Sequence, residues 1–153
     1  GIGRRQAQDS LVDALRTAAR EGRETGVVLC LETHDDWCDP DDVAEVVKRV
    51  GLPNVGVNWD IMHPVRVAKK TIQDSFDTLK TWIKHVHFHD GITADGRLHM
   101  KPIGAGEIDH RQAVQCLKGA GYAGFLSGEW IQWEPWETHL PRELAAMKAY
   151  ERE

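Results

Sequence analysis

HVHFHD, residues 85–90, alternates imidazoles with apolar side chains. Successive side chains of an extended strand point to opposite faces, so His85, His87 and His89 share one face. Val86 and Phe88 share the other and are placed to pack under helices. Upstream, NVGVNWD (residues 54–60) sets Val57 and Trp59 against Asn58 and Asp60. VVLCLE (residues 27–32) follows the breaker Gly26 and sets Leu29 and Leu31 against Cys30 and Glu32. Downstream, GFLSGEW (residues 124–130) sets Leu126 against Ser127 and Glu129. Four strands can thus turn polar faces to one axis.

The segments between them read as helices. Residues 6–21 space Leu11, Ala14, Leu15 and Ala18 helically. Asp39–Pro40 opens a helix with proline in its first turn and acids at its positive end, and Gly51 closes it. One helix is expected across 65–83, another near 110–119, and a last one from Pro141 to Glu153. Residues 91–106, with Gly91, Gly96, Gly104 and Gly106, read as a loop. The alternation predicts parallel strands with right-handed crossovers, in an open doubly wound sheet or a barrel. No glycine-rich phosphate turn follows the first strand, which argues against a dinucleotide-binding fold.

The 153 residues fit one domain, 1–153, of ordinary soluble composition, 41% hydrophobic and 28% charged. No apolar run approaches the roughly 18–20 residues of a membrane helix, and no signal peptide precedes the first helix, so no membrane association is expected. A net charge of −5 without a basic stripe excludes a nucleic-acid partner. Cys30, Cys38 and Cys116 lack metal-type spacing and read as reduced thiols of a cytoplasmic protein. Gly1 in place of Met fits a processed or excised chain.

The chemistry lies at the strand ends. Glu32, Asp60, His87 and Glu129 each close a strand, at gaps of 28, 27 and 42 residues. The first two gaps are close to the ~30 residues of one βαβ unit, and the glycine-rich loop explains the third. Buried carboxylates are costly unless paired or bound to metal. Three carboxylates and one imidazole suit Mn²⁺ or Mg²⁺, with Co²⁺ or Zn²⁺ as alternatives. His85 reads as a hydrogen-bonded core residue, whereas His99, His110 and His139 read as surface positions. Trp37, Trp130, Trp133 and Trp136 follow strands, where an indole can stack on a sugar ring or simply pack. Lys101 is within plausible reach of a substrate oxyanion, and the GxG at 104–106 fits a tight turn rather than a phosphate loop.

LETH, WDxxH, HVHFHD and SGEW, in that order, resemble the strand ends of the xylose isomerase-like sugar phosphate isomerase/epimerase superfamily. That group includes ketose 3-epimerases, hydroxypyruvate isomerases, inosose dehydratases and abasic-site endonucleases. The resemblance spans about residues 25–150. It implies an α/β fold that is the C-terminal half of a (β/α)8 TIM barrel: four βα units resembling the fifth to eighth, preceded by the fourth helix, with parallel strands inside outer helices. It implies metal ligation by Glu32, Asp60, His87 and Glu129, with Glu32 and Glu129 as the catalytic base and acid. It further implies substrate contacts by His63 and His34. Trp130 is a candidate sugar-stacking residue and His89 a candidate substrate contact. Many members carry lysine where this chain has His89. The implied activity is isomerisation or epimerisation of a sugar, sugar phosphate or keto-acid through a metal-stabilised enediolate. The alternatives are a dehydratase or lyase of the same fold, or a metal-binding fragment without turnover. A half-barrel is expected to expose two sheet edges and an apolar inner face, and so to self-associate or to need a missing N-terminal half.

Overall fold

The computed structural model describes residues 1–153. Helix α1 (Arg4–Gly22) leads into β1 (Leu29–Glu32), α2 (Pro40–Val50) and β2 (Val55–Asp60). Two short helices, α3 (Met62–Arg66) and α4 (Ile72–Leu79), precede β3 (Ile83–Phe88). A hairpin of β4 (Asp90–Ala94) and β5 (Arg97–Lys101) is followed by α5 (His110–Gly119), β6 (Leu126–Gly128) and α6 (Trp136–Arg152). β1, β2, β3 and β6 form one parallel sheet in that order. This is an α/β half-barrel, with the helices on one side of a four-stranded sheet. No helix is long and apolar enough to cross a membrane.

Local chemistry explains the element ends. The Asp39 side chain accepts the Asp41 N–H ahead of Pro40, and Gly51 ends α2 in the left-handed region at φ 64°. Asp109 caps α5 by accepting the Gln112 N–H. Val43, Val46, Val47 and Val50 form the buried stripe of α2 and pack on the sheet's outer face. That face presents Val57, Trp59, Val86 and Phe88, all buried. Trp59 keeps its one polar atom satisfied by donating from Nε1 to Ser75 Oγ at 2.9 Å.

Three expectations change. The helix expected at 65–83 is two helices, because Lys69 adopts φ 58° and Thr71 starts a new helix by accepting the Asp74 N–H. The expected loop at 91–106 contains a hairpin, whose strands pair from Asp90↔Lys101 to Ala94↔Arg97. Asp95 and Gly96 turn it with φ of 51° and 70°, the double positive φ of a tight hairpin turn. The inner face is not apolar: alternation leaves Cys30, Asn58, His85 and Ser127 there, and Cys30 is exposed. Exposed apolar surface lies instead at the free β6 edge, where Phe125, Trp136, Leu140 and Leu144 border a groove of about 970 Å³ between the sheet and α6.

Candidate metal centre

Register brings the strand-end groups together. Glu32 lies opposite Asn58, Asp60 opposite His87, and His87 opposite Ser127. Ligand atoms of Glu32, Asp60, His87 and Glu129 all lie within 4.8 Å of one another. His87 Nδ1 is 2.6 Å from Glu32 Oε1 and 3.2 Å from Glu129 Oε2, so the two glutamates flank one imidazole. Thr33 ties the rim, its hydroxyl donating to the Asp60 carbonyl at 2.9 Å.

Asp60 is fully buried. Its Oδ1 accepts the backbone N–H of Met62 at 2.8 Å and of His63 at 3.3 Å. Its Oδ2 faces His89 Nε2 at 2.6 Å and His63 Nε2 at 3.8 Å. Burial alone would raise the Asp60 carboxyl, but the His89 contact and charge, then the His63 charge and the Met62 N–H, hold it below the usual carboxylate range. Burial pushes His63 down to about 4 against the attraction of Asp60. Burial, with His87 alongside, also lowers His85.

Glu32 Oε1, Asp60 Oδ2, His63 Nε2, His87 Nδ1, His89 Nε2 and Glu129 Oε2 are six of the eleven buried side-chain polar atoms that lack a hydrogen-bond partner. Unpartnered buried polar atoms are rare because each costs about 1–3 kcal/mol. Four of them, on Glu32, Asp60, His87 and Glu129, lie within 4.8 Å of one another, three being carboxylate oxygens, and form a donor set that fits a divalent cation.

The other expected positions divide. His34 joins the cluster edge, its ring meeting that of His63 at 4.0 Å. His89 is only 5% exposed and faces Asp60 rather than open space. Trp130 is not brought to the cluster. Its ring covers Gly128 on the outer face and packs with Trp133 and His139, lining the groove beneath α6. His85 is half-buried, edge-on to His87, and forms no core hydrogen bond. His110 and His139 are buried rather than on the surface, whereas His99 is exposed.

Sequence reasoning missed the support beneath the cluster. Asp90, fully buried, accepts the N–H groups of Gly91, Gly104, Gly106 and Ile108 at 2.8, 2.9, 2.9 and 3.3 Å. A Cβ on Gly106 would collide with the Asp90 carboxylate, so the GxG is a nest for the chain's own anion. His110 approaches the His89 carbonyl through Nε2 at 3.1 Å and the Ile108 carbonyl through Nδ1 at 2.9 Å. The cue in the sequence is an acid directly after the histidine strand, with a GxG fourteen residues on.

The family model described as xylose isomerase-like TIM barrel matches residues 1–150. The chain is 24% identical over 143 residues to the 3-dehydroshikimate dehydratase of Bacillus anthracis, covering 82% of this chain and 50% of that protein. The crystal structure of a probable 3-DHS dehydratase from Bacillus anthracis superposes with a TM-score of 0.82 at 22% identity, over 96% of this chain and 58% of that one. The 3-keto-D-glucoside 4-epimerase of E. coli gives 0.77 at 18% identity, over 97% and 56%. These likenesses show the fold. The chain spans half or less of the length of the curated relatives it matches.

Proposed function

The chain belongs to the xylose isomerase-like TIM-barrel family, and from that premise we propose that it carries the divalent-metal site of a sugar or keto-acid isomerase or epimerase. One observation carries the reading: the unpartnered donor atoms of Glu32, Asp60, His87 and Glu129 gather within 4.8 Å. A Mn²⁺ or Mg²⁺ bound there acts as a Lewis acid on substrate oxygens and lowers the barrier to removing a proton beside a carbonyl.

The protein's own groups do the rest. Asp60 and His87, on the two central strands, hold the site in place. Glu32 and Glu129 reach it from the outer strands on either side of His87, as base and acid for a proton leaving one face of the substrate and returning to the other. His63, 12% exposed at its side chain and braced by His34, orients a substrate hydroxyl. The free edges of β1 and β6 and the groove beside β6 support pairing with four further strands, which would complete the cavity wall. A second copy or the other half of a longer chain fits that role.

A dehydratase is the second reading, favoured by the likeness to the Bacillus anthracis protein in both sequence and structure. The same base would remove the proton and a hydroxide would leave from the neighbouring carbon. The test begins with the metal-stripped chain. Added Mn²⁺ is expected to raise the melting temperature, and Glu129→Gln to abolish the rise. Candidate ketoses and keto-acids are then incubated in D₂O. Deuterium entering recovered substrate or its epimer supports the first reading, and a product lighter by one water supports the second. Equal melting of the wild type with and without Mn²⁺ would overturn the metal site in this chain.

A further inference from the structure

Of the nine large apolar side chains that stand exposed, six sit at the two open edges of the sheet. Val27 and Val28, 48% and 47% exposed, lead into β1, and Phe125, 82% exposed, leads into β6. Trp136, Leu140 and Leu144 lie on the side of α6 that borders the β6 groove. The two edges are complementary rather than alike. The outer face of β1 carries Val27, Leu29 and Leu31, set by the pairing of Leu31 with Val57, and the two leucines are only half-buried. The outer face of β6 carries Gly124, Leu126 and Gly128, set by the pairing of Leu126 with Val86. One edge has bulk to insert and the other has a hollow to fill.

We propose that β1 of a second copy of this chain adds in parallel to β6, its Val27, Leu29 and Leu31 entering the groove under α6. The twofold-related contact, β6 of the second copy on β1 of the first, closes a barrel of eight strands. The proposal rests on the pairing with four further strands in the reading above, and it names the partner.

The shape of the groove selects a strand. Its volume of about 970 Å³ reaches from the α6 stripe to Phe88 on β3 and Leu117 on α5, so α6 stands off from the sheet. A helix laid against the outside of α6 leaves that slot empty. A strand hydrogen-bonded to the β6 edge puts every second side chain into it. A second β6 does not serve, because Leu126 is the one side chain with bulk on its outer face. Trp130 Nε1, on the groove wall, is buried without an acceptor. Indole nitrogen only donates, and the carbonyls along an added strand are the acceptors it lacks.

The β1 edge is open to receive the partner's α6. Helix α1 leans on α2, where Gln8 donates to Asp42 at 2.9 Å and Arg49 pairs with Asp9, and it leaves the outer face of β1 half-covered. By alternation Val28 shares the inner face with Cys30, and Phe125 shares it with Ser127. Each junction therefore brings a valine and a phenylalanine together at the floor of the barrel. Phe125 and Trp136 alone expose roughly 300 Å² per copy. A stable dimer buries about 800 Å² per partner, and the other four apolar side chains, the groove walls and the strand edges supply the remainder. Because each copy uses both edges, the twofold leaves no edge unpaired.

Sedimentation equilibrium of the 153-residue chain tests this. Wild type is expected at twice the 17.2 kDa mass of one chain. Val27→Lys at one edge and Leu144→Glu at the other should each weaken the dimer at least roughly thirtyfold, as a charge entering a buried contact does. Both positions are exposed in the single chain, and circular dichroism checks that the variants fold. Mixed in equal amounts, the two variants should form a tighter dimer than either alone. One junction of that dimer carries both substitutions and the other carries neither. A monomeric wild type overturns the proposal, and so does a mixture that dimerises no better than its parts. A dimer untouched by Val27→Lys overturns it too, because the β1 edge is then not used. Assemblies that keep growing with concentration would mean that edges add without closing, which also overturns it. Melting with Mn²⁺ reads the metal site separately. A monomer that still gains stability from Mn²⁺ sinks the second copy and leaves the metal reading standing, and a dimer indifferent to Mn²⁺ does the reverse.

Discussion

Replacing Asp90 with asparagine changes almost no volume but converts an anion into an amide at a point where only acceptors are wanted. In the native chain both oxygens are used: Oδ1 by the Gly91 and Ile108 N–H groups, Oδ2 by those of Gly104 and Gly106. Asparagine keeps one oxygen, so two of the four N–H groups lose their acceptor and face an NH₂ donor instead. Each orphaned buried N–H costs about 1–3 kcal/mol, and the two retained bonds fall from charge-assisted to neutral strength, at about 1 kcal/mol each. Relief from burying a charge offsets part of this sum. We expect a net loss of roughly 3 kcal/mol, or about 6–12 °C in melting temperature for a domain of this size. Urea titration followed by circular dichroism measures the loss. Hydrogen exchange locates it, with the Gly104 and Gly106 amides expected to lose protection first. A loss under about 1 kcal/mol, or unchanged exchange at those two amides, would refute the account of Asp90 as the anchor of the 102–108 segment.

Gly106→Ala should destabilise the chain by a comparable amount, because its Cβ meets the Asp90 carboxylate; combined with Asp90→Asn the losses should fall short of their sum, as thermal melts of the double variant can check. Ser75→Ala should cost about 1 kcal/mol in urea titrations by leaving Trp59 Nε1 buried without an acceptor. Burial, with Asp35 and Asp60 nearby, pushes the Cys38 thiol up to about 11, so at pH 8 only about one molecule in a thousand carries its thiolate; iodoacetamide should label exposed Cys30 and spare Cys38, and equal labelling seen by peptide mass spectrometry would contradict this. His63, His85 and His110 all have folded pKa values held below normal, chiefly by burial. The unfolded chain therefore binds protons first as pH falls below about 6.5, and metal-free stability should be full above that value and decline from there toward about pH 4; a urea midpoint that is flat from pH 7.5 to 5 would oppose it.

How much of this was legible beforehand depended on whether a residue answers to its neighbours in sequence or in space. The period-2 alternation in HVHFHD sorted Val86 and Phe88 from His87 correctly, because strand geometry fixes the face whatever the fold. The convergence of Glu32, Asp60, His87 and Glu129 followed from each closing one of four successive parallel strands. The hairpin at 90–101 was missed although Asp95–Gly96 is a strong turn signal, since glycine enrichment around it read as loop. His110 and His139 show the deeper limit. Both carry polar rings on amphipathic helices, and only the tertiary arrangement reveals that one is flanked by two carbonyls and the other covered by Trp130 and Trp133. Trp130 moved for the same reason. Gly128 leaves a hollow on the outer face of β6 that an indole fills, so the ring folds away from the axis.

The donor cluster and the sheet edges differ in kind. Every donor of the proposed metal cluster lies within the chain, on β1, β2, β3 and the segments that leave β2, β3 and β6. The sheet, by contrast, is open: β1 and β6 each offer an unpaired edge and the β6 side adds exposed Phe125, Trp136 and Leu144. Metal binding and barrel closure are therefore separable. The proposed cluster should bind its ion whether or not further strands are present, whereas turnover needs a walled, water-poor cavity in which carboxylate charges act strongly on substrate. Cys30 distinguishes these states, since it lies exposed on the inner face between the metal cluster and the floor of the sheet. Protection of Cys30 from alkylation on addition of metal alone would mean the cluster reshapes the sheet. Protection only on association with a second chain would mean that the missing wall, not the metal, closes the cavity.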